Sequence, residues 1–320
     1  MNPKVKSSVI PAAGKGSRMY PLTKSVPKEL LPLVDRPVIL TVIEEAQRCG
    51  IENFHIVTSP KKPALREFFT PSVDDDPRNP RAFPMPRANF VTQDEARGLG
   101  HAVLQAREAV GDEPFVVQLP DDLYHAEDPL LQTMLDVHAV TGGCVVAMME
   151  VTPAEAKMYS SATVAPAGLG DDVTGGHQVF KLSDIIEKPD ADQVRSNYAI
   201  MGRYVLDPRI FEVLANTPPG RNDEIQLTDA LATFAEIPAA QGGGVWGVVS
   251  RGRHFDTGNL AGYLEAQIEL SLEDKYLGEQ IRKRMRDLVD GPAGATGNGG
   301  LTGNATGGPI ETGNGKAGVL

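Results

Sequence analysis

Cysteine is scarce in this chain, whose 320 residues include only Cys49 and Cys144. Neither has another cysteine or a histidine at a spacing typical of a zinc site, and two thiols do not make a disulfide framework. We therefore expect two buried, unpaired thiols in a reducing compartment.

Long apolar runs are also absent. No stretch approaches the roughly 18 uninterrupted apolar residues of a membrane span. The N-terminal segment MNPKVKSSVIPAAGKGS has no long apolar run ahead of a small-residue cleavage site. These absences predict a cytoplasmic protein with no membrane partner.

Basic residues are outnumbered, since 31 Lys and Arg face 42 Asp and Glu and the formal net charge is −11. A general nucleic-acid binder needs a basic surface to displace phosphate counterions, so we expect no nucleic-acid partner. A small phosphorylated ligand remains compatible, because a few cations in a cleft suffice to bind it. With 41% hydrophobic and 23% charged residues, the composition is that of a globular protein.

Short apolar segments alternate with segments of helical apolar spacing over the first 151 residues. The predicted strands cover residues 5–12, 53–58, 114–119 and 143–151, and the predicted helices between them cover 38–49, 101–110 and 129–140. This alternation indicates a parallel sheet with helices on both faces.

After residue 151 the rhythm changes. VFKLSDIIEKP, NYAIMGRYVL and VWGVVS predict strands, and helical patterns lie near 208–215, 226–236, 259–271 and 273–289. We therefore predict one α/β domain over residues 1–290, with a Rossmann-like, mixed and mostly parallel sheet flanked by helices.

Two segments differ in composition from this domain. Residues 71–89 are rich in Pro, Asp and Arg and predict a surface loop. Residues 291–320 contain 11 Gly and too few apolar residues to offset the entropy of ordering, so they predict a disordered tail.

The most informative segment directly follows the first predicted strand. There, Gly14 and Gly16 let backbone N–H groups approach an anion, and Arg18 and Lys28 add positive charge. The dinucleotide fingerprint fails because Met19 stands at its third glycine, and the GxxxxGK[ST] phosphate loop is absent from the sequence. The segment therefore predicts a phosphate-binding loop of another kind.

The segment PAAGKGSRMYPLTKSVPKELLPLVDRP resembles the signature of the sugar-1-phosphate nucleotidyltransferases, and most closely that of members that use UTP and glucose 1-phosphate. Further similar segments follow in order over residues 5–275: GLGHAVLQAREAVGDEPFVVQLPDD, IIEKP, SNYAIMGRYVL, TPPG, DEIQLTDAL and FDTGNLAGY. The resemblance implies the nucleotide-diphospho-sugar transferase type of fold and a homodimer or homotetramer. It also implies in-line attack of a sugar-phosphate oxygen on the α-phosphorus of UTP, assisted by Mg²⁺, which yields UDP-glucose and pyrophosphate.

The same resemblance assigns roles to individual residues. Asp121 and Asp256 match the Mg²⁺ ligands, whereas Asp122 is expected to point elsewhere because successive side chains diverge. The nucleotide positions are Ala12, Ala13 and Gly14, with Gln93 and Gly98 at the pyrimidine. The implied catalytic cations are Arg18, Lys28 and Lys188, and the sugar-phosphate positions are Tyr159, Ser160, Glu187, Lys188 and Gly202.

Three other polar residues have open or structural readings. Glu29 is expected either to contact the base or to make a helix cap or ion pair. Arg203 is expected to be an ion-pair partner, and His101 to be a cap or packing group rather than a catalyst.

Departures from the family pattern keep two alternatives open. The family has glycine where this chain has Ser160, and a longer helical insertion where this chain has 71–89. These differences allow another nucleoside triphosphate or hexose 1-phosphate, or a non-catalytic regulatory paralogue that binds sugar nucleotide. Retention of the implied cations and metal carboxylates argues against the paralogue.

Overall fold

A nine-stranded sheet lies at the centre of the part of the chain that the computed structural model describes, residues 4–70 and 85–290. The strands of this sheet and of two small sheets are, in chain order, β1 (Ser7–Pro11), β2 (Pro32–Leu33), β3 (Arg36–Pro37), β4 (Asn53–Thr58), β5 (Ala88–Thr92), β6 (Phe115–Gln118), β7 (Asp122–Tyr124), β8 (Cys144–Glu150), β9 (Ser160–Pro166), β10 (Val179–Ile186), β11 (Tyr198–Leu206), β12 (Val245–Val249) and β13 (His254–Asp256). The large sheet has the spatial order β5-β4-β1-β6-β11-β8-β12-β10-β9.

Helices connect most of these strands. They are α1 (Val38–Arg48), α2 (Pro63–Phe68), α3 (Leu99–Gln105), α4 (Arg107–Val110), α5 (Leu130–Thr141), α6 (Asp171–Thr174), α7 (Ile210–Asn216), α8 (Leu227–Glu236), α9 (Leu260–Glu273) and α10 (Gly278–Val289). Short 3₁₀ turns cover Ser17–Met19, Leu22–Lys24, Lys28–Leu30, Ala156–Met158, Arg221–Asp223 and Ala239–Gln241.

Strand direction in the large sheet is mixed. β1 pairs in parallel with β4 and β6, β4 with β5, and β8 with β12. β10 and β11 run against their neighbours. All strands of the large sheet except β10 and β11 therefore run in the same direction. This confirms the predicted mixed, mostly parallel sheet.

The sheet is apolar on both faces, as β8 illustrates. Val145 and Ala147 belong to the hydrophobic cluster beneath α1 and α5, whereas Cys144, Val146 and Met148 belong to the cluster beneath α3, α7 and α8. Successive strand residues point to opposite faces, so a strand covered on both faces is continuously apolar. Packing on both faces holds the strands in place. The polar residues of the candidate site follow the ends of these strands.

The winding of the chain changes direction beside β1. From β1 the chain passes outward to β4 and β5, and then returns to β6 on the other side of β1. In open α/β sheets, ligands bind beyond the carboxyl ends of strands at such a switch point. Residues 12–18 follow β1 and Asp121 follows β6, so the fold brings them together beyond the carboxyl ends of these two strands.

A two-stranded sheet of β7 and β13 lies next to these carboxyl ends. Its antiparallel register pairs Asp256 with Asp122 and Phe255 with Leu123. Leu123 and Phe255 pack in a third hydrophobic cluster with Met19 and Tyr263. This cluster joins the loop after β1, the small sheet and α9, and thereby places Asp256 near Asp121.

Contacts within the chain divide it into two compact units, one up to Leu270 and the other from Ser271. The first unit contains the large sheet. In the second, α10 follows a turn in which the Asp274 carboxylate accepts hydrogen bonds from the N–H groups of Tyr276 and Leu277, at 2.9 and 2.8 Å. That residues 1–290 form one domain stays a prediction, and the tail over 291–320 lies outside the described residues.

Two strands of the large sheet were missed, and both lie at its edges. Part of the predicted loop is wrong, because Ala88 and Asn89 begin β5, while residues 71–84 lie outside the described part of the chain. β9 was also not predicted. Edge strands have partly exposed side chains, so neither shows the continuous apolar run by which the inner strands were predicted.

The helix predicted over 101–110 begins earlier and is broken. Gly98 has φ +99°, and α3 starts at Leu99 directly after it. At Ala106, where φ is −81° and ψ −3°, the chain leaves α3 and enters α4. The other predicted helices and strands occur close to their predicted ranges, whereas the short strands of the small sheets gave no sequence signal.

Candidate functional site

The loop after β1 combines one exposed glycine with one constrained glycine. A Cβ on Gly14 would have no atom within 4 Å, so no protein packing requires glycine there. Gly16 has φ +65°, and its carbonyl accepts a hydrogen bond from the Thr23 hydroxyl at 2.7 Å. Gly16 therefore turns the chain into the 3₁₀ turn that carries Arg18, and Gly14 leaves its backbone open to an approaching group.

Asp121 and Asp256 converge, although they come from distant parts of the chain. A Cβ on Gly258 would lie less than 3 Å from the Asp121 Oδ2 atom and 2.9 Å from the Asp256 Oδ1 atom. The Thr257 N–H and hydroxyl donate to the Asp121 carbonyl at 2.8 and 2.9 Å, which ties the two segments together. The two carboxylates thus face one small space beside Gly258.

Two cations contact this carboxylate pair. Arg18 lies 3.8 Å from Asp121 and 3.7 Å from Asp256, measured between nitrogen and oxygen atoms. Lys28 makes an ion pair with Asp121 through its Nζ atom. The phosphate-loop cations and the predicted metal carboxylates therefore occupy one charged cluster.

Asp122 contacts residues outside this cluster, in agreement with the expectation that it differs from Asp121. Its carboxylate accepts hydrogen bonds from the His254 Nε2 atom and the Gly202 N–H. Burial opposes its ionisation, but the hydrogen bond from His254, the charges of His254 and Arg203 and the Gly202 N–H outweigh burial and lower the pKa of Asp122. A Cβ on Gly202 would overlap the Asp122 carboxylate, which explains glycine at that position.

The predicted nucleotide residues meet at the ends of β1, β4 and β5. The Ala12 N–H donates to the Val57 carbonyl at 2.7 Å, and the Gln93 N–H donates to the Thr58 carbonyl at 2.8 Å. The Gln93 Nε2 atom also lies 3.3 Å from the Gly98 carbonyl oxygen. Ala12, Gln93 and Gly98 are thereby held together at the sheet edge, with Ala13 and Gly14 directly after Ala12.

His101 is a hydrogen-bond partner of Gln93, with 2.9 Å between the Gln93 Nε2 and His101 Nδ1 atoms. Burial and the charge of Arg97 lower the pKa of His101, with the charge of Glu95 opposing them. A neutral ring accepts the Gln93 N–H, which agrees with a packing role.

Glu29 makes an ion pair, which is one of the roles expected for it. It is 1% exposed, and its two carboxylate oxygens lie 3.0 and 2.9 Å from the Lys62 Nζ atom. Burial raises the pKa of Glu29, and the charges of Lys62 and Lys28 partly offset the rise. Lys62, which the sequence reasoning did not single out, also donates to the Ala12 carbonyl at 2.8 Å.

A cavity of about 440 Å³ lies beside the charged cluster. Its lining includes eight predicted site residues: Arg18, Asp121, Tyr159, Ser160, Glu187, Lys188, Gly202 and Asp256. Lys28 and the five predicted nucleotide residues are not part of this lining, although Leu99, which follows Gly98, is. The predicted positions therefore form a sugar-side cavity and a separate nucleotide-side group, with Arg18 and Asp121 in the cavity wall.

Lys188 has an unusual backbone within this lining. Its φ is +43°, in the left-handed region that residues with a Cβ seldom adopt. Its Nζ atom lies 3.8 Å from the Glu187 Oε1 atom, and its side chain is 48% exposed. Left-handed backbone at a non-glycine residue is concentrated at functional sites.

Arg203 is a buried ion-pair partner, as predicted. It is 0% exposed and donates to the Glu45 Oε2 atom from two nitrogens, at 2.9 and 2.7 Å. It also donates to the Leu119 carbonyl at 3.1 Å. Arg203 therefore stabilises the segment after β6 that leads to Asp121.

The sequence reasoning missed Thr228 and His254, which both line the cavity. Thr228 lies in DEIQLTDAL, a segment that already carried the family resemblance, so the signal was present although no residue in it was assigned. His254 lies two residues before Asp256, but its contact with Asp122 depends on the pairing of β7 with β13.

The donor set suits a hard divalent cation that also takes oxygens from a ligand. Within the described residues, no group of three or more His, Cys, Asp and Glu side chains is arranged to hold a metal ion. Mg²⁺ is commonly bound by one or two carboxylates together with substrate phosphates, so Asp121 and Asp256 fit it. No helix in residues 4–70 and 85–290 has the length and apolar character needed to cross a membrane.

Comparison with known proteins finds a matching family model and several proteins of similar sequence. The family model described as nucleotidyl transferase matches residues 7–272. The UTP–glucose-1-phosphate uridylyltransferase of Bacillus subtilis is 35% identical over 300 residues, which cover 90% of this chain and 98% of that protein. The enzyme of the same name from Staphylococcus haemolyticus is 34% identical, with 89% of this chain and 98% of that protein covered.

Solved structures agree in fold. A UDP-glucose pyrophosphorylase complexed with UDP-glucose is 34% identical, with a TM-score of 0.74 over 84% of this chain and 100% of that chain. A UTP-bound UGPase from Acinetobacter baumannii is 30% identical, with a TM-score of 0.77 over 89% of this chain and 99% of that chain.

Proposed function

Since the chain belongs to the nucleotidyl transferase family, we propose that it transfers the uridylyl group of UTP to α-D-glucose 1-phosphate, giving UDP-glucose and pyrophosphate. The observation that carries this proposal is the convergence of Asp121 and Asp256 beside Arg18 and Lys28, with both carboxylates in the lining of a cavity that Glu187 and Lys188 also line. The match with the relatives named UTP–glucose-1-phosphate uridylyltransferase covers 98% of the length of each relative.

The reaction needs positioning and charge rather than a general base. An oxygen of the sugar phosphate forms a bond to the α-phosphorus, and the bond from that phosphorus to the bridging oxygen of pyrophosphate breaks. The attacking oxygen is already anionic near neutral pH, so no proton has to be removed. The protein has to overcome the repulsion between two polyanions.

The cations of the site are suited to this task. Arg18 and Lys28 hold the triphosphate, and Lys188 binds the phosphate of the sugar and offsets negative charge during attack. Asp121 and Asp256 hold Mg²⁺. When bound, the metal neutralises phosphate charge and orients the triphosphate. In the structure the two carboxylates are paired with Arg18 and Lys28, so these cations are already next to the proposed phosphate site.

The nucleotide-side group suits a pyrimidine. Gln93 directs its Nε2 atom toward Gly98 and His101, so its amide oxygen is the atom that accepts the N3–H of uracil. Ala12, Ala13 and Gly14 lie along the uridine, where the open space at Gly14 lets backbone approach the ligand.

The sugar-side cavity has the size of a small-molecule site, about 300–1,000 Å³. Glu187 accepts hydrogen bonds from sugar hydroxyls, and Gly202, Tyr159 and Ser160 shape the wall. Serine at 160, where the family has glycine, favours one second candidate, the same transfer to another hexose 1-phosphate.

A pyrophosphate-release assay tests the proposal. The full chain is incubated with UTP, glucose 1-phosphate and Mg²⁺, and Asp121→Asn serves as the inactive control. We expect release that depends on both substrates. Release no greater than that of the control contradicts the proposed activity, whereas faster release with another hexose 1-phosphate or with dTTP supports the alternative substrates.

We also propose that the protein is a cytoplasmic homodimer or homotetramer. Two free cysteines agree with a reducing compartment. Leu260, Leu264 and Ile268 follow one another at four-residue spacing on α9 and are 52%, 50% and 47% exposed, which suits a surface covered in an oligomer. Light scattering after size-exclusion chromatography distinguishes the oligomers from a monomer.

A further inference from the structure

Ser160, Glu187 and Thr228 form a buried hydroxyl–carboxylate cluster in the wall of the sugar-side cavity. Ser160 is the first residue of β9, Glu187 follows β10, and Thr228 lies in the first turn of α8. The Ser160 Oγ atom lies 2.5 Å from the Glu187 Oε2 atom, and the Thr228 Oγ1 atom lies 2.8 Å from the same oxygen. Three separate elements therefore meet at one carboxylate oxygen.

The hydrogen atoms of this cluster are directed at Glu187. The two hydroxyl oxygens are 2.9 Å apart, so three short contacts share two hydroxyl hydrogens. A carboxylate has no hydrogen to give and is the strongest acceptor present, so both hydroxyls donate to it. The Glu187 Oε2 atom is thereby occupied, and Oε1 lies on the side of Lys188, 3.8 Å from its Nζ atom.

Burial makes these two hydrogen bonds hard to replace. Ser160 is 7% exposed and Thr228 is 6% exposed, whereas the Glu187 side chain retains 17% exposure. Water therefore has little access to the hydroxyl side of the carboxylate. With one hydroxyl removed, Oε2 has a single donor and the carboxylate is less firmly oriented.

Ser160 differs from the glycine that the family resemblance places at this position. Glycine at this position provides no side-chain donor, so the second hydrogen bond to Glu187 is a property of this chain. The same serine adds a Cβ to the cavity wall, which by itself would only reduce the room for the sugar.

We propose that Ser160 is a positioning residue, which acts with Thr228 to fix the Glu187 carboxylate so that its Oε1 atom accepts a sugar hydroxyl. This inference rests on the proposed function, because it assigns the affinity for the hexose part of the ligand to this cluster. It predicts that Ser160 affects recognition of the sugar and leaves recognition of the nucleotide unchanged.

Two substitutions distinguish the effect of the Ser160 hydroxyl from the effect of its Cβ. Ser160→Ala removes the hydroxyl alone, and Ser160→Gly removes both and restores the family residue. We expect both variants to weaken UDP-glucose binding by about tenfold, as for loss of a hydrogen bond to a charged group. We expect UTP binding to change by less than about twofold, since Gln93 and Ala12 are not in the lining of the cavity that Ser160 lines. If the serine acts only through its bulk, Ser160→Gly binds UDP-glucose more tightly and Ser160→Ala binds as the wild type does.

A double-mutant cycle tests whether Ser160 acts through Glu187. In a Glu187→Gln background, Ser160→Ala should weaken UDP-glucose binding by less than about twofold, because the carboxylate it orients is gone. The matched control is Thr163→Ala, which removes an exposed hydroxyl-to-carboxylate hydrogen bond between β9 and β10, from Thr163 to Asp184 at 3.1 Å. This control should bind UDP-glucose as the wild type does.

Calorimetry on the full chain measures the affinity of every variant for UDP-glucose and for UTP, and it does not require turnover. Thermal melting verifies that each variant is folded. Wild-type affinity for UDP-glucose in both Ser160 variants overturns the inference alone. Equal losses for UDP-glucose and UTP, or a full loss that persists in the Glu187→Gln background, also overturn it. Absence of UDP-glucose binding by the wild type overturns the proposed function and this inference with it.

Discussion

Lys62 binds the carboxylate of Glu29 through both oxygens, at a place where Glu29 is 1% exposed. The same ammonium group donates to the carbonyl of Ala12, so one lysine joins the 3₁₀ turn Lys28–Leu30 to the residue after β1. Because the pair is buried, its two charges depend on each other.

Lys62→Met is expected to lower the free energy of unfolding by about 3–5 kcal/mol, since it leaves the Glu29 carboxylate buried without this partner. Adding Glu29→Gln should recover part of the loss. Lys61→Met, at the exposed neighbouring position, should change stability by less than about 0.5 kcal/mol. Urea denaturation measures all three, and equal effects of Lys61→Met and Lys62→Met contradict the assignment.

Asp128 carries a second buried network, and its contribution to stability depends on pH. Its carboxylate accepts hydrogen bonds from the Ser250 hydroxyl and the Arg251 and Gly252 N–H groups at 2.7–2.9 Å, and from His177 at 2.7 Å. Burial raises the pKa of Asp128, but these hydrogen bonds outweigh burial and hold the pKa well below its usual range. The stability it provides is therefore complete above the unfolded-state pKa of about 3.9 and is lost as the pH falls toward the folded-state pKa.

Asp128→Asn is therefore expected to destabilise the protein by about 1–3 kcal/mol at pH 7. The difference from the wild type should shrink as the pH is lowered below about 4, because the wild type then loses the same ionic contribution. Denaturation at several pH values tests this, with Asp136→Asn on the exposed face of α5 as control. A difference that is independent of pH contradicts the ionic role of Asp128.

Gly98 and Gly14 are expected to respond differently to alanine. At Gly98, φ is +99° and a Cβ would lie 2.7 Å from the Ile225 carbonyl oxygen, so Gly98→Ala should destabilise the fold by more than about 1 kcal/mol. At Gly14 a Cβ meets no atom within 4 Å, so Gly14→Ala should keep the wild-type melting temperature while raising KM for UTP. Unchanged UTP kinetics in Gly14→Ala would remove Gly14 from the nucleotide site.

Lys188→Ala is expected to lower kcat by about 100-fold or more, as for loss of one group that stabilises developing charge. Its side chain is 48% exposed, so the melting temperature should stay close to that of the wild type. Lys188→Arg retains the charge and should retain more activity than alanine. Parallel loss of melting temperature and activity in Lys188→Ala would indicate a structural role instead.

The sequence predicted the inner part of the sheet because those strands are apolar on both faces, as in the segments that became β6 and β8. It did not predict β5 or β9, because the residues of an edge strand are partly exposed and their pattern is weak. The helix before β6 was placed late, since the effect of Gly98 depends on the Ile225 backbone, which lies far along the chain.

The candidate site divides in the same way. Arg18 was predicted from its charge and its place in the glycine-bearing motif, and Asp121 from the family resemblance. The contacts that Lys62 makes with Glu29, His254 with Asp122 and Thr228 with Glu187 were not predicted, because they form only after distant elements have packed together. Hydrogen bonds between side chains from separate elements leave no periodic pattern in a sequence.

The most direct test of the central claim is the Mg²⁺ dependence of pyrophosphate release in the wild type, Asp121→Asn, Asp256→Asn and the double variant. If both carboxylates hold the same ion, each single change abolishes activity or sharply raises the Mg²⁺ requirement, and the double change adds little to either. Melting temperatures should show that the variants are folded. A Mg²⁺ titration in either single variant that matches the wild type would contradict the account.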